Sequence, residues 1–311
     1  MDYKQIAEEK HLILDKYFVI SRKYFNPLRE ISMRVNYLVK FLERNGGVKG
    51  FVLGISGGVD SALAGKIAQI ACKRYRSMYG KEKKFIAVRL PYGEQRDEND
   101  AQAALDWIRP DEIRTVNIKE SVDSLEKSLG VTGTKTSSED FHKGNIKARV
   151  RMAAQYYLAG VEGGVVLGTD HNSEAVMGFF TKHGDGACDL LILNGLNKTL
   201  IKMSAEFLNA PKSIVNKVPT ADLEELNPGK PDSEGFGFDY DLLDQFLEGE
   251  EIPSETLEKI IRKFKETEHK RNPAVEFDYE AYGDSSRREN LIELGRIEEH
   301  LVKTFCNKRE E

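Results

Sequence analysis

The chain has 311 residues, 40% of them hydrophobic and 31% charged, with a formal net charge of -5. A chain of that length buries roughly 75% of its unfolded surface, so a large core is expected, and the slight acidic excess supplies no basic face for nucleic acid. The three cysteines, Cys72, Cys188 and Cys306, are far apart and form no C-x-x-C pair, which speaks against a zinc site or a disulfide framework and for the cytoplasm; no apolar run nears the ~20 residues of a membrane span.

Charged and aromatic residues fill positions 1–26, where Ile13, Tyr17 and Ile20 recur at helical spacing until Asn26-Pro27 interrupts. Ile31, Val35, Leu38 and Leu42 predict an amphipathic helix that stops at Asn45-Gly46-Gly47. A first strand over Phe51–Ile55 leads into a glycine-rich turn and a helix carrying Leu63, Ile67 and Ile70, which ends near Gly80. Phe85–Arg89 reads as a second strand, buried on both faces, with the polar loop Leu90–Asp97 at its end. A helix over Glu98–Ile108, a third strand over Ile113–Ile118 and a helix over Lys119–Leu129 follow. Gly130–Asp140 is rich in Thr, Ser and Gly and predicts a mobile loop. The helix over Asn145–Leu158 carries Lys147, Arg149 and Arg151, and Val165–Leu167, framed by glycines, is a fourth strand.

Past Glu174 the periodicity weakens. A short fifth strand is expected over Leu190–Leu193 and a short helix over Met203–Leu208. Residues 211–238 contain Pro211, Pro219, Pro228 and Pro231 and read as one long loop, a mobile lid over a site. Helices are expected at Tyr240–Leu247 and Leu257–Phe264, the latter closed by His269-Lys270-Arg271, and Leu291, Leu294, Ile297 and Leu301 mark a last one.

This alternation predicts an α/β fold: a doubly wound, parallel five-stranded sheet with helices on both faces, one domain over 1–311 with a helical extension at 1–26. Ligands of such sheets sit beyond the carboxyl ends of the strands, at a switch point in strand order. The polar clusters Ser56–Ser61, Tyr92–Asp97 and Thr169–Glu174 all follow strands, so they are expected to share one site.

Gly54-Ile55-Ser56-Gly57-Gly58-Val59-Asp60-Ser61 has the strand–turn–helix layout that presents backbone N–H groups to a phosphate. It lacks the lysine of G-x-x-x-x-G-K-[ST], which suits it to a departing pyrophosphate held by a metal ion beside Asp60. A βα turn with only a structural role is the plainer alternative. Asp60 and Glu174, at neighbouring strand ends, suit Mg2+, which takes one or two carboxylates plus phosphate oxygens; taken alone, Glu174 reads as an acid favoured at a helix N-terminus. Lys182, Lys198, His269 and Lys270 are candidate anion contacts, although each taken singly also reads as a solvated side chain. Lys147, Arg149 and Arg151 read as a solvated helix face, or through Arg149 as directed at an anionic substrate. His171 and Asn172 read as caps of the following helix. His142 and His183 have no partner assignable by spacing, and no Ser or Cys has the His of a nucleophilic triad.

Ser56-Gly57-Gly58-Val59-Asp60-Ser61 resembles the S-G-G-x-D-S signature of the ATP pyrophosphatases, which adenylylate a carboxylate or carbonyl oxygen and release pyrophosphate. Later segments are similar, in order, to the NAD synthetases: Leu90–Glu98, Gly144–Arg149, Gly168–His171, Gly178–Lys182 with Gly184–Gly186, and Thr220–Leu223. The resemblance runs over about residues 30–275. It implies an adenine nucleotide alpha-hydrolase-like fold and an ammonia-dependent carbon–nitrogen ligase. That activity amidates deamido-NAD to NAD through an adenylylated intermediate, releasing AMP and pyrophosphate, as the final step of NAD biosynthesis. It places ATP on Gly54–Ser61 with Thr169, Lys198 and Thr220, and Mg2+ on Asp60 and Glu174. It places deamido-NAD on Arg149, Lys182, Asp189, His269 and Lys270, and the chemistry around Asp60, Asp185, Asp189 and Lys198. A homodimer is implied as well, with the helix from Asn145 as the candidate interface. Residues 1–50 hold no cysteine and are too few for an amidase domain, so ammonia, free or delivered by a separate partner, is the expected nitrogen source. The rival readings are another ATP-pyrophosphatase amidotransferase, a tRNA-modifying enzyme, or a non-catalytic ATP-binding module.

Overall fold

The computed structural model describes residues 3–94, 98–131, 136–220, 223–276 and 296–297. Met1–Arg271 form one compact unit and Asn272–Glu311 a second; the expected helix around Leu291–Leu301 falls almost wholly outside the described residues. Five strands, β1 (Gly50–Gly54), β2 (Lys84–Arg89), β3 (Glu112–Thr115), β4 (Val165–Gly168) and β5 (Leu190–Leu191), form a parallel sheet in the order β3-β2-β1-β4-β5.

Side chains alternate across each strand, and here both faces are covered. Phe51, Leu53, Phe85, Ala87 and Leu167 point into one core layer, while Val52, Ile86, Val88 and Val166 point into the other. Two-sided burial is why these strands read as continuous apolar runs. The edges depart: Leu191 of β5 is exposed, and β3 is shorter than Ile113–Ile118, its Ile113 is half exposed, and Arg114 sits between Glu112 and Glu162 on a charged rim that discourages edge-to-edge pairing.

The helices in chain order are α1 (Tyr3–Tyr17), α2 (Pro27–Arg44), α3 (Val59–Tyr79), α4 (Glu98–Ile108), α5 (Lys119–Ser128), α6 (Ser137–Glu162), α7 (Asn172–Met177), α8 (Lys198–Phe207), α9 (Lys212–Val215), α10 (Asp232–Phe236), α11 (Tyr240–Leu247), α12 (Ser254–Glu266) and α13 (Glu268–Arg271). In α2, Asn26 caps the N-terminus by accepting from Arg29 N, Pro27 takes the first position, and Ile31, Val35, Leu38 and Leu42 are buried. Gly80 closes α3 in the left-handed conformation that glycine adopts without a Cβ penalty.

Three expectations change. The extension at 1–26 is tied into the fold: Ile13 and Tyr17 are buried, Tyr17 O accepts from Asn172 Nδ2 at 3.0 Å, and Val19 N donates to Leu247 O at 2.9 Å. Ile20 lies past the helix and is exposed, because α1 ends at Tyr17. The loop expected over Gly130–Asp140 is shortened by α6, which starts at Ser137 on a reciprocal capping box between Thr136 and Glu139. Residues 211–238 are not one structureless loop. Pro211 and Pro231 stand just before the two short helices α9 and α10, which bury Ile214, Val215 and Phe236. What remains among the described residues, 216–220 and 223–231, is pinched at its neck by the Thr220–Pro231 bridge and by Asp232 N donating to Pro219 O.

Candidate active site

From β1 the chain winds through β2 to β3 on one side, and β4 and β5 lie on the other. The switch point therefore falls between β1 and β4, where the two turns Ile55–Gly58 and Thr169–His171 stand side by side. A cavity of about 980 Å3 opens there, lined among others by Ser56, Asp60, Thr169, Glu174, Lys198 and Thr220.

The glycine loop is knit by its own serines. Ser56 N donates to Ser61 Oγ, Gly58 N donates to Ser56 Oγ, and Ser61 Oγ donates to Gly58 O, each at 3.2 Å. Gly57 has φ +86°, and a Cβ there would lie 2.8 Å from the Ala101 nitrogen, against backbone that cannot yield. The loop thus aims the N-terminus of the long helix α3, with its positive end, into the cavity.

Asp60 in the first turn of α3 meets Lys198, the first residue of α8, with Nζ 2.7 Å from Oδ2. Lys198 is placed by a chain of buried caps. Asn197 accepts from Leu200 N and donates to Glu248 Oε1, while the Asp244 carboxylate accepts from Thr199 N and Ser173 Oγ. Glu248 is in turn held by Arg22 of the N-terminal segment. Burial would lower the Lys198 ammonium, but Asp60 and Glu174 outweigh it and hold it above its ordinary value. Burial would raise Asp60, but Lys198 keeps it below.

The other acids are less well matched. Loss of water, then Asp185 and Asp60, push the Asp170 carboxyl well above the ordinary carboxylate range. Glu174 is likewise pushed well above it by burial, which Lys198 relieves only in part, and by Asp60, Asp170 and Asp185. His171 is 1% exposed, and burial with Lys198 nearby pushes its imidazole down to about 3. It occupies the N-cap position of α7 yet makes no side-chain cap bond, so the capping role expected of it does not hold. Asp60 Oδ1 and both ring nitrogens of His171 are buried without hydrogen-bond partners. A carboxylate pair with an orphaned oxygen, ringed by acids that repel one another, has the donor chemistry a divalent cation needs.

Arg149, Lys182, His269 and Lys270 come together outside the cavity lining. Arg149 Nε donates to Lys182 O at 3.3 Å, Lys182 Nζ to His269 O at 2.5 Å, and Lys270 Nζ to the carbonyls of Gly178 and Phe180 at 2.8 Å. Asp189 is occupied differently: its Oδ2 accepts from Val166 N at 2.7 Å at the start of β4. Asp185 lines the cavity and accepts from Thr181 N at 2.8 Å. His142 is exposed beside Phe141, and His183 is exposed in a left-handed turn. Gln95, Arg96, Asp97, Ala221 and Asp222, parts of two segments singled out in the sequence, lie outside the described residues.

Sequence reasoning missed Asp170 and Asp232, and gave His171 only a capping role. Asp170 sits inside the Gly168–His171 segment and was findable as one more acid at a strand end; Asp232, buried and bonded to Tyr240 Oη at 3.2 Å, carries no sequence signal. No helix among the described residues is long and apolar enough to cross a membrane.

Comparison with known proteins bears on this arrangement. The NAD synthase family profile matches residues 30–274. An NH(3)-dependent NAD(+) synthetase from Exiguobacterium sp. is 52% identical over 255 residues, covering 81% of this chain and 93% of that protein. Among solved structures, an NAD+ synthetase from Burkholderia pseudomallei superposes with a TM-score of 0.72 at 41% identity, covering 86% of this chain and 97% of the other. An NMN synthetase from Francisella tularensis superposes at 0.71 with 31% identity, covering 82% and 99%.

Proposed function

The chain belongs to the NAD synthase family, and we propose the roles its own residues take in that family's reaction. It is an ammonia-dependent carbon–nitrogen ligase that amidates deamido-NAD to NAD while ATP is cleaved to AMP and pyrophosphate. The convergence of Asp60, Glu174 and Lys198 on the glycine loop at the β1–β4 switch point carries this reading.

A nicotinate carboxylate is a poor electrophile. One of its oxygens attacks the α-phosphorus of ATP, the bond from that phosphorus to the bridging oxygen breaks, and pyrophosphate leaves. Ammonia then adds to the carbonyl carbon, the bond to AMP breaks, and one proton is lost. The loop Gly54–Ser61 and the N-terminus of α3 cradle the departing pyrophosphate. Thr169 and Thr220 line the ATP cavity, and Lys198 supplies positive charge where the phosphates gather.

Asp60 and Glu174 would hold a divalent ion, which we assign as Mg2+; when bound, it would supply positive charge against the phosphate oxygens and the leaving pyrophosphate. Asp185 faces the cavity and takes the proton from ammonium, while Asp189, fixed to Val166 N, serves in binding. Arg149, Lys182, His269 and Lys270 bind the anionic deamido-NAD. The 216–231 segment screens the adenylate from water. A homodimer would cover α6, where Phe141, Tyr157 and Val161 are exposed; light scattering at micromolar concentration tests it.

Incubation with Mg-ATP, ammonium and deamido-NAD should yield AMP, pyrophosphate and NAD in equal amounts. Nicotinic acid mononucleotide is the control acceptor. ATP binding without AMP release would remove the ligase reading, and preference for the mononucleotide would reassign the acceptor.

A further inference from the structure

We infer that His171 is a third protein ligand of the divalent cation, so that two carboxylates and one imidazole hold it. The inference rests on the metal assignment to Asp60 and Glu174 and goes beyond it.

Burial is the first ground. His171 is 1% exposed, and neither ring nitrogen has a hydrogen-bond partner. Leaving two polar atoms buried and unmet carries a free-energy cost that a ligand in the site removes. Asp60 Oδ1 is orphaned in the same way.

Spacing is the second. His171 Nε2 lies 3.5 Å from Glu174 Oε1 and 3.7 Å from Asp60 Oδ1. Both are too long for N–H···O bonds, which centre near ~2.9–3.0 Å. They suit two ligands of one ion. At about 2.1 Å from an octahedral centre, cis ligands stand about 3.0 Å apart and trans ligands about 4.2 Å. One donor atom from each of Asp60, His171 and Glu174 falls within 4.8 Å of the others.

Orientation is the third. The backbone at His171 is extended, and Asn172 beside it is fixed from both sides. Its Nδ2 donates to Tyr17 O at 3.0 Å and its Oδ1 accepts from Gly195 N at 2.8 Å. The ring sits beside Tyr240, centroids 6.3 Å apart, facing the two acids. Because α7 begins at Asn172, Glu174 stands three residues on and returns to the same side.

An imidazole donor changes which ion the site prefers. Carboxylates and water suit Mg2+, whereas imidazole nitrogen favours first-row transition ions. The site should therefore bind Mn2+ more tightly than a purely carboxylate site would.

The test uses the full chain with 15N-labelled histidine, and Mn2+ alone as the probe. Pulsed EPR of the wild-type protein should show coupling to a directly bound imidazole nitrogen. In His171→Gln that coupling should vanish. Mn2+ affinity there should fall by at least the about 10–100-fold that even outer-shell partners of metal ligands are worth. Glu174→Gln reports on the metal site itself. Mn2+ binding that is lost in Glu174→Gln but shows no nitrogen coupling in the wild type would overturn the role of His171 while leaving the metal assignment standing. Coupling that persists in His171→Gln, or unchanged Mn2+ affinity in that variant, would overturn it too. Mn2+ binding indifferent to Glu174→Gln, or none at all, would overturn both.

Discussion

At the end of the cavity walled by the N-terminal half of α6, Lys143 lies 3.1 Å from Glu126 and 3.2 Å from Glu225, and Lys147 lies 3.1 Å from Glu225. Asp123 accepts from Tyr92 Oη and Lys119 Nζ, and Asp140 accepts from the backbone of Glu225 and Leu226. Each of these acids has a donor, and together they fasten 223–226 to α5 and α6. At the strand ends, Asp60 has Lys198 for one oxygen and nothing for the other, while Asp170 and Glu174 are raised by burial and by their neighbours. Both regions set acids and lysines at or beside one cavity. Matched charge holds structure together; unmatched, half-buried charge stores the affinity for what binds.

Breaking the unmatched end should cost function and leave the fold. Asp60→Asn should reduce NAD formation by about 10²–10³-fold or more, with an unchanged far-ultraviolet circular dichroism spectrum. Near-normal turnover would take Asp60 out of the reaction.

Breaking the matched end should do the reverse. Asp140→Ala leaves two backbone N–H groups unpaired and should lower unfolding free energy by about 1–3 kcal/mol in urea titrations, and it should speed proteolytic cleavage in 216–231. Its turnover should fall far less than that of Asp60→Asn. Equal losses would erase the distinction between the two ends.

Between them lies the cap that aims Lys198. Asn197→Ala should cost about 0.5–2 kcal/mol and weaken ATP binding more than the structure as a whole, which separate KM and unfolding measurements resolve.

The smallest effect concerns pH. Burial would raise Glu225, but Lys147 and Lys143 hold it below its ordinary value. Its contribution is present above the unfolded pKa, ~4.3, and is lost as pH falls through the lowered folded value. Glu174, raised in the folded protein, works the other way: the folded state holds its proton more tightly, so ionising it costs stability as pH rises. The stability gained by Glu174→Gln should thus be largest near neutral pH and shrink on acidification, whereas that lost by Glu225→Gln should fade only near and below ~4.3. Urea midpoints from pH 7 to pH 4 check both.

Much of the fold was legible because its apolar periods are long. Glu98–Ile108 and Tyr240–Leu247 end where their patterns end, and the strand–helix alternation gave the parallel sheet. The start of α6 was missed although Thr136-x-x-Glu139 is written in the chain, since its polar first turns lack an apolar stripe. Prolines before α9 and α10 looked like loop residues because a proline opening a helix and one interrupting a chain are the same letter. At the site, Asp60 and Glu174 were readable as acids after neighbouring strands. His171 was not, because what singles it out is burial without a partner, and the sequence cannot display that.

Glu174→Gln, measured for unfolding free energy and for turnover on the same ligand-free preparation at pH 7, tests the contrast most directly. The expected result is a protein at least as stable as wild type whose NAD formation falls by more than about 10²-fold. A variant that loses stability as Asp140→Ala does while keeping near-wild-type turnover would contradict it.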